Sequence, residues 1–157
     1  MPGVNNVTRF LDSHQVAYTA FELPAEKLSA VEAAYFLNVP EEVVFKTIVI
    51  LREVKGKTIL ALVPGAREVD LKSLAKVVGE KKLQPATQRE AEKLTGLLTG
   101  GISPLALINR GFQVVVDQTA LDCEAIYISG GQRGLNIRLS PQDLIDLTHA
   151  QTADISR

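Results

Sequence analysis

The stretch VVFKTIVILREVKGKTILALVP, Val43 to Pro64, decides how this chain is laid out. Its first part, VVFKTIVIL, is apolar except at Lys46 and Thr47, as expected of a strand through a packed core. Glu53 to Lys57, with Gly56 inside it, turns the chain into a second apolar run, TILALVP (Thr58 to Pro64), so the two read as a β-hairpin. Lys46 is the anomaly. In a strand it shares a face with Ile48 and Ile50, while Phe45, Thr47, Val49 and Leu51 share the other. Both faces are apolar, and an ammonium buried without a partner is costly and tends to lose its proton. Two readings are open from these residues. One is an inward lysine on an edge strand, its stem packed and its head in water, discouraging edge pairing. The other is a cleft lysine that holds an anion.

Working outward from the hairpin, Val4, Val7, Phe10 and Leu11 fall on one helical face, so residues 4–14 read as an amphipathic helix. AYTAFEL (Ala17 to Leu23) reads as a strand. Ser29 and Glu32 have the spacing of a capping box, opening a helix that ends near Asn38, before Pro40. After the hairpin, Asp70 caps a helix with Leu71, Leu74, Val77 and Val78 inward and Gly79 as its stop. KKLQPA is a short strand, and Thr87 with Glu90 starts a helix ending by Gly96. QVVVDQT, CEAIYIS and LNIRLS are three further strands, the last with Leu135, Ile137 and Leu139 on one face. Ser140, Pro141 and Asp143 open a final helix packed through Leu144, Ile145 and Leu147. The pattern predicts a mixed, largely antiparallel sheet surrounded by helices, in one domain over residues 1–157.

Composition narrows the classes. Apolar residues make up 46% and charged residues 22%, ordinary for a soluble domain. The apolar runs are too short to span a bilayer, and MPGVNNVTRF lacks a secretory pattern, so no membrane role and a cytoplasmic location are expected. The formal net charge of −1 argues against coating long duplexes, DNA included, but leaves room for a local pocket for one nucleotide or one RNA end. Cys123 is the single cysteine. With His14 and His149 near opposite ends it gives no metal-ligand spacing, and Cys123 is expected in the core.

No G-x-G-x-x-G, P-loop or G-x-S-x-G motif is present. Two glycine pairs remain. In GGISP (Gly100 to Pro104), the glycines permit positive φ and close approach of a ligand to bare backbone. Such a loop, with Ile102 and Ser103 following, can present N–H groups to a carbonyl oxygen or phosphate, or be a tight connection only. GGQRG (Gly130 to Gly134) reads as a hairpin turn. Alternatively it is a second backbone wall, with Arg133 available for a phosphate.

Taken together, FKT (Phe45 to Thr47), GGISP, IYISGGQRGL (Ile126 to Leu135) and ADIS (Ala153 to Ser156) resemble the YbaK-like aminoacyl-tRNA deacylases, related to the editing domain of bacterial prolyl-tRNA synthetase. The resemblance covers nearly the whole chain, in order. It implies an α/β fold of α+β type, built on a mixed, mostly antiparallel, six-stranded, partly closed sheet. It implies an enzyme that releases a wrongly attached amino acid from tRNA in trans. The first substrate is cysteine on tRNA(Pro), with alanine or another small amino acid as the alternative. A reading of another class is a module that binds a tRNA end without catalysis. The implied partners are mischarged tRNA and prolyl-tRNA synthetase, with no cofactor and no metal.

By the same resemblance Lys46 matches an essential lysine that engages the 3′-terminal nucleotide, and Gly100 and Gly101 match the loop around the scissile ester. Thr47, Ile102, Ser103, Ser129, Gly130, Gly131, Arg133 and Asn136 are the implied substrate-binding residues. No protein nucleophile is implied, because the ester is already activated and attack comes from a substrate group. Alanine-directed relatives carry histidine where Ser129 stands. The cysteine branch carries aspartate where this chain has Asn136, and aromatics at positions aligned with Ala20 and Ser29.

Overall fold

The computed structural model describes residues 4–157; the first three residues of the expected 1–157 domain lie outside the described residues. In chain order the elements are α1 (Asn6–Ser13), β1 (Tyr18–Glu22), α2 (Ala30–Leu37), β2 (Phe45–Arg52), β3 (Ile59–Pro64), α3 (Leu71–Val78), β4 (Leu83–Pro85) and α4 (Gln88–Thr95). They continue as β5 (Gln113–Asp117), β6 (Ile126–Ser129), β7 (Leu135–Leu139), α5 (Pro141–Thr148) and β8 (Gln151–Ala153). Among the described residues no helix is long and apolar enough to cross a membrane.

Helix ends follow local chemistry. Ser29 and Glu32 form the expected reciprocal capping box, as do Thr87 and Glu90, and Asp70 accepts from Ser73 N–H. Asn38, Gly79 and Gly96 stop their helices in the left-handed conformation. The α1 cap is one that sequence reading passed over: Asn5 and Thr8 form a capping box, and Val4, expected inward, is 58% exposed.

The expected hairpin is present, β2 and β3 running antiparallel with Lys46 opposite Val63 and Thr47 opposite Leu62. β6 and β7 form a second hairpin across the GGQRG turn, and β1 adds to β7 antiparallel. β5 joins β3 in parallel, and β8 joins β5 in parallel. The single six-stranded, partly closed sheet is corrected. A three-stranded sheet of order β1-β7-β6 faces a five-stranded sheet of order β4-β2-β3-β5-β8. The two meet through one backbone bridge, Val44 to Tyr127, beyond which β2 and β6 no longer pair. The short β8, two of whose three residues are exposed, has no apolar period to betray it and is held by its neighbour's edge.

β3 is buried at every position, which its unbroken apolar run explains. One face of the larger sheet (Phe45, Val49, Leu60, Leu62, Val116) packs against the smaller sheet through Ile126, Ile128, Ile137 and Leu139. The other face (Ile50, Ala61, Val63, Val115) packs under α3 through Leu74 and Ala75, with Ile155 completing it. A third, small cluster holds α2 through Ala33, Ala34 and Val44.

Candidate active site

Lys46 stands at the start of β2, on the face that carries Ile50 towards α3, whereas Thr47 points to the opposite face. Both nevertheless line one cavity of about 260 Å³. This is possible because β4 covers β2 only at Ile50–Arg52, so the cavity wraps around an uncovered strand edge. Val49 C=O accepts Ala86 N–H at 2.8 Å on that edge. Strand alternation therefore aims Thr47's own N–H and C=O the same way, where β4 no longer reaches.

The Lys46 stem is packed, its side chain only 22% exposed. Its Nζ donates to Gly65 C=O at 3.3 Å and to Glu68 Oε1 at 3.4 Å. Among the described residues, Lys46 and Glu26 are the only charged ones in the cavity lining. Gly65 is required by crowding: a Cβ there would stand 2.7 Å from that of Ala30. The 65–70 segment is fastened to Asp154–Arg157, with Glu68 and Arg157 exchanging backbone hydrogen bonds at 3.1 and 2.9 Å and Val69 bridging Ser156. The ADIS motif thus supports the loop that carries the lysine's partners.

Thr99, Gly100 and Ile102 line the same cavity as Lys46. Gly100 has φ +93, the left-handed region that favours glycine. Gly101 N–H is already bonded to Leu98 C=O at 2.8 Å, whereas Gly100 and Ile102 N–H have no acceptor among the described residues. The GGQRG turn stands behind this loop as its brace. Arg133 Nε donates to Thr99 C=O at 2.7 Å, and Ser129 Oγ to Gly100 C=O at 3.4 Å. A Cβ on Gly101 would lie 2.9 Å from the backbone of Gln132 and Arg133. Asn5 Nδ2 in turn donates to Gly130 C=O at 2.9 Å, and Gly131 packs on Val7.

Glu92 pins the near end of the loop, accepting Thr99 N–H at 2.8 Å, and this bond holds its carboxyl below the ordinary value of 4.5. A lowered carboxyl stabilises the folded form at pH above its unfolded value and loses that contribution as pH falls through the folded one. The Thr99 amide is therefore expected to exchange hydrogen faster relative to core amides as pH drops below about 4.5. Glu92→Gln should remove that acid-dependent component, which hydrogen exchange followed by NMR would check.

Of the expected site residues, Lys46, Thr47, Gly100, Ile102, Ser129 and Asn136 line the cavity; Gly101, Ser103, Gly130, Gly131 and Arg133 do not. Ser103 is fully buried, its Oγ accepting Leu105 N–H at 3.2 Å. Arg133 braces the loop where a phosphate contact was expected. Asn136 lines the cavity at 6% exposure, while its Oδ1 is itself buried and has no hydrogen-bond partner among the described residues. Sequence reading missed Glu68, Gly65, Thr99 and the α2 side of the wall (Leu28, Ala30, Ala33), which carry no motif; only Ser29 had been noted there. Ala20 packs beside the main core, and Cys123 is half-buried there, desolvation pushing its thiol up. Among the described residues no group of three or more metal-ligating side chains is gathered.

A packed lysine and a backbone loop with unbonded N–H groups around one cavity fit the class of ester-cleaving sites that work by positioning and polarisation. The model of the aminoacyl-tRNA editing domain matches residues 25–147, and the chain belongs to that family. A protein of Enterococcus faecalis named as a candidate Cys-tRNA(Pro)/Cys-tRNA(Cys) deacylase, EbsC, is 34% identical over 153 residues, 96% of this chain and 92% of its own length. A proline–tRNA ligase of Leptospira biflexa is 35% identical over 108 residues, which are 69% of this chain but 18% of that enzyme. The crystal structure described as a candidate trans-editing enzyme for prolyl-tRNA synthetase superposes with TM-score 0.81 at 28% identity, covering 99% of both chains.

Proposed function

We propose that this chain, as one editing domain, releases cysteine from wrongly charged tRNA(Pro) in trans, in the cytoplasm and beside a prolyl-tRNA synthetase. The observation that carries the reading is that one cavity is lined by Lys46, by Gly100 and Ile102, whose N–H groups have no acceptor among the described residues, and by the Asn136 amide. An aminoacylated tRNA end carries three matching features: an anionic phosphate, an ester carbonyl and an α-ammonium. Lys46 holds the 3′-terminal nucleotide. The Gly100–Ile102 backbone polarises the ester carbonyl and takes up the charge that develops on its oxygen. Asn136, with its amide turned so that the buried Oδ1 enters the cavity, accepts from the α-ammonium, more weakly than a carboxylate would. The substrate thiol attacks the ester carbon; a C–S bond forms, the C–O3′ bond breaks, and the thiol proton ends on O3′. Ser129 leaves space beside the substrate side chain where a histidine would fill it. No cofactor or metal takes part in this scheme.

The test is release of labelled amino acid from tRNA(Pro) charged with cysteine, alanine or proline. Cysteine is expected to be released, and correctly attached proline retained. Preferential release of alanine would reassign the substrate, and tRNA binding without release from any charged form would replace the deacylase with a tRNA-end-binding module.

A further inference from the structure

The Lys46 ammonium has three hydrogens but, among the described residues, only two acceptors, at 3.3 and 3.4 Å, whereas a well-made charge-assisted bond lies near 2.7–2.9 Å. It is loosely held. One acceptor, Gly65 C=O, belongs to backbone that cannot withdraw, since Gly65 N–H is tied to Val44 C=O at 2.8 Å and its α-carbon abuts Ala30. The other is different. Glu68 is anchored through its backbone to Arg157, yet its side chain is 76% exposed and, among the described residues, has no hydrogen-bond partner but Lys46. It is a fixed stalk with a free head. The lysine, with a packed stem, cannot follow if the carboxylate leaves.

We infer that Glu68 is a displaceable counter-ion for Lys46: it occupies the ammonium in the free protein and swings into solvent when the anionic end of the RNA arrives. The inference rests on the reading of Lys46 as the anion-holding residue. Glu68 then sets substrate affinity by competing with the phosphate, and takes no part in the chemical step. Neutralising it should tighten binding without changing the rate of release from the bound state.

Steady-state release from Cys-tRNA(Pro), together with affinity for the same RNA uncharged, is measured for wild type, Glu68→Gln, Lys46→Ala and the double variant. Glu68→Gln is expected to lower KM and the RNA dissociation constant about two- to fivefold, the range of one exposed ion pair, with kcat within about twofold of wild type. In the Lys46→Ala background the same change should leave affinity unaltered. Unchanged or raised KM in Glu68→Gln would overturn the proposal, as would a fall in kcat, which would make Glu68 a positioning residue. Tighter binding that persists without Lys46 would also overturn it, being a general charge effect. Wild-type activity in Lys46→Ala would instead overturn the reading of Lys46 itself.

Discussion

Lys46→Ala is expected to slow release of the amino acid by about a hundredfold, the loss of one or two charge-assisted hydrogen bonds to substrate. It removes the only cation that the described residues place in the cavity lining and leaves the rest of the wall in place. The fold should survive, because the ammonium makes only two long contacts. Lys46→Met separates the two contributions of this residue: it keeps the stem packed on the α3 side of the sheet and should be as inactive as the alanine variant while melting within a few degrees of wild type. Lys46→Arg should not restore full activity, since a planar fork on a longer stem directs its donors differently. Activity within about twofold of wild type in both the alanine and methionine variants would remove Lys46 from the mechanism.

Gly101→Ala should have the second largest effect, although Gly101 does not touch the cavity. Its added Cβ would meet backbone atoms of Gln132 and Arg133 at 2.9 Å, and backbone cannot swing aside. The loop must therefore lift from its brace, which costs about 1–3 kcal/mol of stability. It also moves Gly100 and Ile102 relative to Lys46, and a displacement near 1 Å at a reacting group can cost about a hundredfold in rate. Gly79→Ala is the control: φ is +76 but nothing lies within 4 Å of the new Cβ. It should lose about 1 kcal/mol through backbone strain alone and keep its activity. Melting curves and single-turnover release distinguish the cases. Equal loss of activity in both would mean that lowered stability, and not the loop's seat, is responsible.

These two glycines show how far residues alone can be read. A glycine signals positive φ, close approach, or both, and its neighbours in sequence do not say which. GGISP and GGQRG each read as a site wall or a plain connection. The first lines the cavity through Gly100 and Ile102, and the second reaches it at Gly134 while otherwise bracing the first, because the contact between Gly101 and Gln132 joins positions that only the tertiary fold brings together. The helix caps, the β2–β3 hairpin and the burial of β3 were legible because caps, turns and apolar runs act within a few residues. The division into two sheets was not, since it depends on where β2 and β6 cease to pair. At Lys46 the open question resolves into a mixture of its alternatives. The strand is interior along Ile50–Arg52 and uncovered at Lys46, the stem is packed, and the head has a counter-ion 22 residues away. The bracing bond of Arg133 was hidden for the same reason, the acceptor of its Nε being the carbonyl of Thr99 in a distant loop.

The small separate core beneath α2 has a consequence of another kind. Two sides of the cavity are built on the sheets and the braced glycine loop, where a change of residue propagates into the main core. The third side, Leu28 to Ala33, rests on its own cluster around Ala33, Ala34 and Val44. Ala30 is held by its contact with Gly65, but side chains on the rest of that side can be exchanged while the lysine and the loop stay in register. Such an arrangement lets one ester-cleaving apparatus be refitted to different amino-acid cargoes by altering a single detachable panel, and Ser29, at the first cap of that panel, is the natural place for the refitting to begin.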